Sequence, residues 1–221
     1  MIPTPDLSHL RKADYERIYE PAEDTFILLD ALEQDAESLR ASAPRVCLEI
    51  GSGSGCVSTF LGALLGSSGA LYLCTDINPH AARCTRLTGS QNKISLDPLI
   101  GSLAAPLRHR LTRAVDVLIF NPPYVPTEED EAAGAQVDAG ITGAWAGGAR
   151  GMLVTDALLE QVETLLSPHG RFYLVAVRQN DIPAIEARMR DRHGLDSAVV
   201  LQRRAGGEHL FILRIARRPP V

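Results

Sequence analysis

The chain has 221 residues, of which 45% are hydrophobic and 22% are charged, as expected for one globular domain with a full core. Its formal net charge of −5 argues against a general duplex-binding surface, which is usually strongly basic. Residues 1–6 lack the pattern of a signal peptide, and no apolar run approaches the roughly 20 residues of a membrane-spanning helix.

An arm and a helix precede the first predicted strand. Residues 1–18 are polar and interrupted by prolines, which predicts a flexible N-terminal arm ahead of a single domain over 19–221. From Glu20 to about Leu39, apolar residues repeat on one side and acidic residues occupy the first turn. This pattern predicts a helix.

Strands and helices alternate along the rest of the chain, with a long loop between 121 and about 150. Gly206 and Gly207 separate the last two strands and predict a hairpin turn. The alternation predicts an α/β fold, a doubly wound and mostly parallel sheet with a C-terminal antiparallel hairpin. The strands are predicted at 46–50, 71–75, 96–100, 115–120, 172–177, 197–203 and 208–215, and the helices at 57–65, 152–166, 182–193 and from Pro79 onward.

A glycine-rich loop, Gly51–Gly55, follows the first strand. Its glycines let the backbone approach a ligand closely, and Asp76, at the end of the second strand, is placed to hold ribose hydroxyls. A dinucleotide fingerprint needs glycine or alanine where this chain has Cys56, and Glu49 would repel a pyrophosphate. The loop therefore favours S-adenosylmethionine over a dinucleotide, and a tight turn without a ligand is the remaining alternative.

The segment Asn121-Pro122-Pro123-Tyr124 follows the predicted strand at 115–120. Prolines fix φ and cannot donate backbone hydrogen bonds, so the neighbouring carbonyls stay free to accept. The Asn121 side chain and one of these carbonyls can accept from a planar –NH₂ group, against which Tyr124 supplies a flat face. The pattern predicts methyl transfer to an amide nitrogen or to the exocyclic amine of adenine. An ordinary turn after a strand is the structural alternative.

The cysteines and histidines show no spacing typical of metal ligands. Cys47, Cys56, Cys74 and Cys84 form no CxxC motif, and the histidines are scattered along the chain. We therefore expect buried, reduced thiols in a cytoplasmic protein, and no metal site.

The long loop after Tyr124 contains the only tryptophan and an acidic run. Trp145 lies among glycines and either forms a wall of the substrate site or anchors the loop by packing. The run Glu128–Glu131 is predicted to be a solvated loop tip rather than a docking patch. A loop of this length inside a domain is usually functional or mobile.

Five short motifs occur along the chain in the order Tyr19–Thr25, Glu49–Gly55, Cys74–Pro79, Asn121–Tyr124 and Ala144–Gly148. Together they resemble the eukaryotic and archaeal HemK-type protein methyltransferases, from about residue 18 to the C-terminus. The resemblance implies a seven-stranded, Rossmann-like class I methyltransferase fold with S-adenosylmethionine as the cofactor. It also implies methylation of the glutamine amide in the Gly-Gly-Gln loop of class I translation release factors, and of a histone lysine in the eukaryotic branch.

The resemblance also assigns roles to residues. The cofactor-binding residues would be Tyr19, Glu23, Thr25, Glu49, Gly51, Gly53, Asp76, Ile77, Ser102 and Asn121. The substrate-binding residues would be Asn121, Pro122, Pro123, Tyr124 and Trp145, and the catalytic ones Asn121, Pro122 and Tyr124. Ser102 stands where the family usually has an aspartate near the adenine amino group, which predicts weaker or differently solvated adenine binding.

The resemblance further implies an obligate heterodimer with a small zinc-binding activator protein. A candidate surface for it is the predicted sheet edge near 72–75 and 96–100, with the apolar residues Leu71, Tyr72, Leu73, Leu96 and Leu99. Two other functions stay open: an adenine N6-methyltransferase acting on nucleic acid, which would favour a basic recognition region, and a non-catalytic binding subunit. The expected location is the cytoplasm, and also the nucleus if a histone is a substrate.

Overall fold

The computed structural model describes residues 2–125, 148 and 151–218. The strands are β1 Val46–Ile50, β2 Leu71–Asp76, β3 Leu96–Ile100, β4 Val115–Phe120, β5 Leu166–Val177, β6 Leu195–Ala205 and β7 Glu208–Arg217. The helices are α1 Lys12–Tyr15, α2 Glu23–Gln34, α3 Ala36–Ala41, α4 Cys56–Leu65, α5 Pro79–Gln91, α6 Leu153–Leu165 and α7 Ile182–His193. Among the described residues, no helix is long and apolar enough to cross a bilayer.

The seven strands form one sheet in the order β3-β2-β1-β4-β5-β7-β6. The first five strands in this order pair in parallel, β7 runs antiparallel to β5, and β6 pairs antiparallel with β7. The predicted mostly parallel sheet with a C-terminal antiparallel hairpin is therefore confirmed.

The centre of the sheet brings three chain segments to one edge. β1 pairs with β2 on one side and with β4 on the other, and Ile50 lies opposite both Thr75 and Phe120. The residues that follow these strands therefore meet at the carboxyl edge, where the strand order reverses. Ligands bind at this topological switch point in open α/β sheets.

The strand sequences are apolar runs because each face of the sheet is buried in a hydrophobic core. In β4, Val117 and Ile119 belong to one hydrophobic core, whereas Leu118 and Phe120 belong to the other. Successive strand side chains point to opposite faces, so the run fills both cores at once. This burial on two sides fixes the position of the residues that follow β4.

The predicted helix over 20–39 is wrong in its bounds and in its continuity, because the structure has two helices, α2 and α3, that meet at Asp35. The Asp35 carboxylate accepts two bonds from Arg214 Nη1, at 2.8 and 2.7 Å, and one from the Tyr173 hydroxyl at 2.6 Å. These bonds to the sheet hold the chain at the junction.

β5 begins at Leu166, six residues before its predicted start. Pro168 and Gly170 lie inside this strand. The register against β4 shifts there, since Val115 faces Leu166 whereas Val117 faces Arg171. An irregularity of this kind lets a strand tolerate a residue that cannot donate to the ladder.

The segment predicted as a flexible arm lies against α2 and α5. The Ile2 amide donates to Glu33 at 2.6 Å, and the Asp6 amide donates to Asn92 at 2.8 Å. Leu10 and Ile18 are buried in a small apolar cluster with residues of α5. The arm thus has a defined place beside the domain, and its boundary with the domain stays a prediction.

Candidate active site

A cavity of about 290 Å³ lies at the carboxyl ends of β1, β2 and β4. Its walls come from residues 17–19, 21, 24 and 25, the loop after β1, residues 101–103 and the Asn121–Val125 segment, and Glu208 of β7 lies at the same cavity. Most of the predicted motifs are therefore brought to one place by the sheet topology, although they are far apart in sequence.

The loop after β1 has the backbone that the glycine pattern predicts. Gly51, Gly53 and Gly55 have φ values of 66°, 52° and 78°, which a residue with a side chain rarely adopts. A Cβ at Gly55 would lie 2.7 Å from the Thr85 Cα, so this glycine also allows α4 and α5 to approach. A Cβ at Gly53 would meet nothing within 4 Å, so this part of the loop borders open space.

Asp76 fastens the glycine loop and keeps free acceptor positions. Its Oδ2 accepts from the Gly53 amide and its Oδ1 from the Asn78 amide, both at 2.9 Å. Burial raises the pKa of Asp76, and these two backbone bonds oppose the rise. A carboxylate offers about four lone-pair positions, so Asp76 can still accept from the hydroxyls of a ribose.

Glu49 lines the cavity but its carboxyl group is buried. Its Oε2 accepts from the Ser58 amide at 3.0 Å and from the Ser58 hydroxyl. Burial raises the pKa of Glu49 from 4.5 to about 8; the Ser58 bonds oppose this rise and the Asp76 charge adds to it. Burial therefore favours the protonated form of Glu49.

Asn121 lines the cavity and has one buried hydrogen-bond acceptor without a partner. Its Nδ2 donates to Asp24 Oδ2 at 3.0 Å. Because a carboxylate can only accept, this bond fixes which end of the amide faces Asp24. Asn121 Oδ1 is buried and has no hydrogen-bond partner. A buried acceptor without a partner is costly, so this atom is a site at which a ligand donor would bind.

Asp24 is the residue that holds the acceptor group in place. It is only 4% exposed, and besides Asn121 it accepts from the Tyr19 and Tyr124 hydroxyls, both at 3.1 Å, and from the Thr25 amide at 2.7 Å. Burial and the Asp24 charge raise the pKa of Tyr124, so its hydroxyl stays a donor. From the sequence alone, Asp24 is equally a helix-start charge or a site residue, because its partner Asn121 lies 97 residues away.

Gly151, just before α6, packs against the backbone of Tyr124. Gly151 has φ +67°, and a Cβ there would lie 1.9 Å from the Tyr124 carbonyl oxygen. Only glycine permits this approach. The contact fixes the end of the Asn-Pro-Pro-Tyr segment independently of Asp24.

Most of the predicted site residues line the cavity, and one does not. Glu23 points to solvent, with a side chain 60% exposed and 3.9 Å from Arg203, so the structure does not place it at the cavity, and its contact with a cofactor stays a prediction. The next two residues of α2, Asp24 and Thr25, face the cavity instead. Trp145 and the acidic run Glu128–Glu131 lie outside the described residues. The predicted residues that do line it are Tyr19, Thr25, Glu49, Gly51, Gly53, Asp76, Ile77, Ser102, Asn121, Pro122, Pro123 and Tyr124.

Comparison with known proteins gives relatives over nearly the whole chain. The human protein named Methyltransferase HEMK2 is 46% identical over 97% of this chain and 96% of its own length. The eRF1 methyltransferase catalytic subunit mtq2 of Schizosaccharomyces pombe is 42% identical over 98% and 96%. A putative protein N5-glutamine methyltransferase of Methanocaldococcus jannaschii is 30% identical over 71% and 70%. No protein-family model matches the chain.

Solved structures share the fold. The Mtq2–Trm112 complex of E. cuniculi, described as responsible for methylation of the termination factor eRF1, contains a chain with a TM-score of 0.67 and 25% identity, covering 91% of this chain and 99% of that one. The catalytic domain of human METTL16, solved with an RNA hairpin, has a TM-score of 0.64 at 14% identity and covers 93% and 74%. The latter likeness shows the fold alone, which carries many functions. The predicted class I methyltransferase fold is confirmed.

Replacing Glu49 by glutamine should flatten the pH dependence of stability. Because the pKa of Glu49 rises from 4.5 to about 8 on folding, the unfolded chain loses this proton at lower pH than the folded chain. The free energy of unfolding of the natural chain should therefore fall as the pH rises through this window, by up to about 1.4 kcal/mol per pH unit. Urea unfolding at the two ends of the window measures the slope.

Glu37→Gln is the matched control, since it removes an exposed carboxyl group from α3. This variant should keep the slope of the natural chain. If Glu49→Gln and Glu37→Gln have equal slopes, burial of Glu49 is not the cause.

Proposed function

This chain belongs to the HemK-type methyltransferase family, and we propose that it methylates the side-chain amide nitrogen of a glutamine in the Gly-Gly-Gln loop of a class I translation release factor. Two proteins support this substrate: the S. pombe relative, named for its action on eRF1, and the E. cuniculi complex, described in the same terms. S-adenosylmethionine is the methyl donor. The proposed location is the cytoplasm, where translation terminates.

The observation that carries the proposal is the buried, unpaired Oδ1 of Asn121 at the cavity. Its partner must be a donor, and a planar –NH₂ group offers two. The bond from Nδ2 to Asp24 uses one of the two amide N–H groups and leaves Oδ1 as the acceptor without a partner. The site therefore suits an amino group, which can donate, and does not suit an alkoxide or a carboxylate, which can only accept.

The residues around the cavity fit S-adenosylmethionine. The left-handed glycine loop borders open space, and the Asp76 carboxylate at its side retains acceptor positions for a ribose. Gly51 and Gly53 would border the methionine part, and Ile77, Leu103 and the exposed Ser102 the adenosine part. When bound, the cofactor supplies an electrophilic methyl group on a sulfonium ion.

The protein contributes to the reaction by holding a poor nucleophile in position and by increasing the electron density on its nitrogen. An amide nitrogen is weak because its lone pair is delocalised into the carbonyl. Asn121 Oδ1 accepts one N–H, and a backbone carbonyl of the Asn-Pro-Pro-Tyr segment accepts the other. Each bond contributes only about 1 kcal/mol net. Orienting the nitrogen toward the methyl group is the larger effect and can supply up to roughly 7–11 kcal/mol.

The final proton transfer needs no strong base. The methylated nitrogen is positively charged and acidic enough to lose its proton to water. This explains why an asparagine, which cannot act as a base, suffices at this position. A lysine acceptor would be different, because a cationic amine must lose its proton before it can attack.

The open edge of β3 is the proposed docking surface for a small zinc-binding partner protein. Among the described residues, β3 has a neighbour on one side only. Its Ile100 is 60% exposed, and Leu71 at the start of β2 is 46% exposed. An unpaired strand edge with apolar side chains is a ready template for another chain. Three of the apolar residues predicted for this surface point into the cores instead, and they are Tyr72, Leu73 and Leu96.

A labelled-cofactor assay tests the proposed function. The chain, with its partner protein, is incubated with a release factor, a histone tail and adenine-containing DNA in separate reactions. We expect label on the release factor, located at the Gly-Gly-Gln glutamine by mass spectrometry, and its loss in Asn121→Ala. Label on DNA alone would assign the chain to the adenine methyltransferases. Undiminished protein methylation by Asn121→Ala would remove Asn121 from the mechanism.

Replacing Asp24 by asparagine should impair methyl transfer without weakening cofactor binding. The new amide can donate to Asn121, which lets the Asn121 side chain turn and present a donor where the substrate needs an acceptor. We expect kcat to fall by about 100-fold, the usual cost of losing one fixed hydrogen bond at the reacting group. Calorimetry should give an unchanged Kd for the cofactor.

Asp30→Asn is the control for this variant, because Asp30 lies on the same helix and pairs with Arg203 at the surface. It should retain the kcat of the natural chain. A normal kcat in Asp24→Asn would show that Asn121 does not depend on Asp24 for its orientation.

A charge placed at the edge of β3 should prevent association with the partner. Ile100→Asp adds a charged group to the proposed surface, and we expect the partner to copurify at less than a tenth of its normal yield. Val199→Asp is the matched control, since Val199 is 39% exposed on β6 at the opposite edge of the sheet. Normal association of Ile100→Asp would rule out this edge, and so would a fully active chain that needs no partner.

A further inference from the structure

Three side chains with metal-ligating atoms converge outside the cavity. Among the described residues, Asp14, His80 and Cys84 form one group whose ligand atoms all lie within 4.8 Å of one another. His80 and Cys84 are four residues apart on α5 and therefore lie one above the other on the same helix face. Asp14 comes from α1 in the N-terminal segment.

The cluster is already partly organised. His80 Nε2 lies 3.0 Å from Asp14 Oδ1, while Asp14 Oδ2 accepts from the Arg11 amide at 2.9 Å. The Asn78 side chain accepts from the His80 amide at 2.9 Å and so fixes the start of α5. These bonds hold the carboxylate and the helix turn in place, as outer bonds do around metal ligands in general.

We propose that Asp14, His80 and Cys84 bind one zinc ion, with a water molecule as the fourth ligand. Thiolate, imidazole and carboxylate are the three donors that zinc takes in proteins. Ordinary zinc–ligand lengths of about 2.0–2.3 Å place the donors of a tetrahedral site roughly 3.3–3.7 Å apart. The observed spacing requires only small side-chain movements to reach this geometry.

Burial and access at the cluster both suit a metal ion. Cys84 is fully buried, whereas the side chains of His80 and Asp14 are 19% and 21% exposed, which leaves a path for an ion and a water from solvent. Zinc binds cysteine as the thiolate, so binding would release the thiol proton to solvent.

The ion would fasten the N-terminal segment to α5 beside the cavity. Arg17, Ile18 and Tyr19, which follow α1 directly, line the cavity wall, and so does Ala81 on α5. A metal bond between α1 and α5 would hold this wall in place. The site is separate from the methyl-transfer chemistry and does not depend on the proposed function.

The alternative is an ordinary ion pair above a core cysteine. Asp14 and His80 would then form a simple salt bridge, and Cys84 would only pack against Leu10, Ile18 and Ala81. The two cases differ in one measurable property, a metal–sulfur bond to Cys84.

Cobalt titration tests for that bond. The metal-free full chain is titrated with Co²⁺, which reports thiolate ligation by a near-ultraviolet charge-transfer band and four-coordinate geometry by intense visible bands. We expect one equivalent to bind and to be displaced by Zn²⁺, and Cys84→Ala and His80→Ala to bind at least about 100-fold more weakly. If a partner copurifies, the same complex is used for every variant and only the difference between variants is read.

Cys47→Ala is the matched control, since it removes another buried thiol, on β1, and leaves the cluster intact. Zn²⁺ should raise the Tm of the natural chain and of Cys47→Ala but not that of Cys84→Ala, and circular dichroism should show all three folded. Absence of the charge-transfer band in the natural chain, or an equal band in Cys84→Ala, would overturn the proposal. An unfolded Cys84→Ala leaves His80→Ala, whose loss of the visible bands is the deciding result.

Discussion

The site depends on one buried carboxylate, that of Asp24, which joins the beginning of α2 to the end of β4. It receives the Asn121 amide and the hydroxyls of Tyr19 and Tyr124. A buried charge of this kind is stable only when its oxygens are well supplied with donors. The same bonds that satisfy Asp24 also fix the Asn121 amide so that its Oδ1 is left without a partner, and they therefore stabilise the fold and prepare the site together.

The sheet supplies the other half of this arrangement. β4 is buried on both faces, so the residue after Phe120 has little freedom of position. Gly151 packs closely against the Tyr124 carbonyl. The Gly53 amide of the glycine loop donates to the Asp76 carboxylate. The Asn121 acceptor thus lies on a rigid segment, and the backbone around it is held in a fixed position. Rigidity matters here because positioning, not strong acid or base chemistry, supplies the largest rate effect.

The sequence predicted what depends on neighbouring residues and missed what depends on distant ones. The strand before Asn121 and the Gly51–Gly55 loop are local patterns, and the structure has both where they were predicted. Glu23 and Asp24 are adjacent acids in one helix turn. Which of them faces the cavity depends on how α2 is oriented relative to β4, and only the folded structure shows this. The approach of Asp14 to His80 and Cys84 likewise spans 66 residues, and no spacing along the chain could reveal it.

The position of β7 has a consequence for synthesis of the protein. β7 is the last strand along the described chain, yet it lies inside the sheet between β5 and β6. Until β7 has emerged from the ribosome, β5 and β6 lack the strand that lies between them in the described sheet, so the sheet cannot close. Such exposed edges invite aggregation of nascent chains. A protein that we propose to act on the factor that ends translation thus completes this sheet only after β7 has been synthesised.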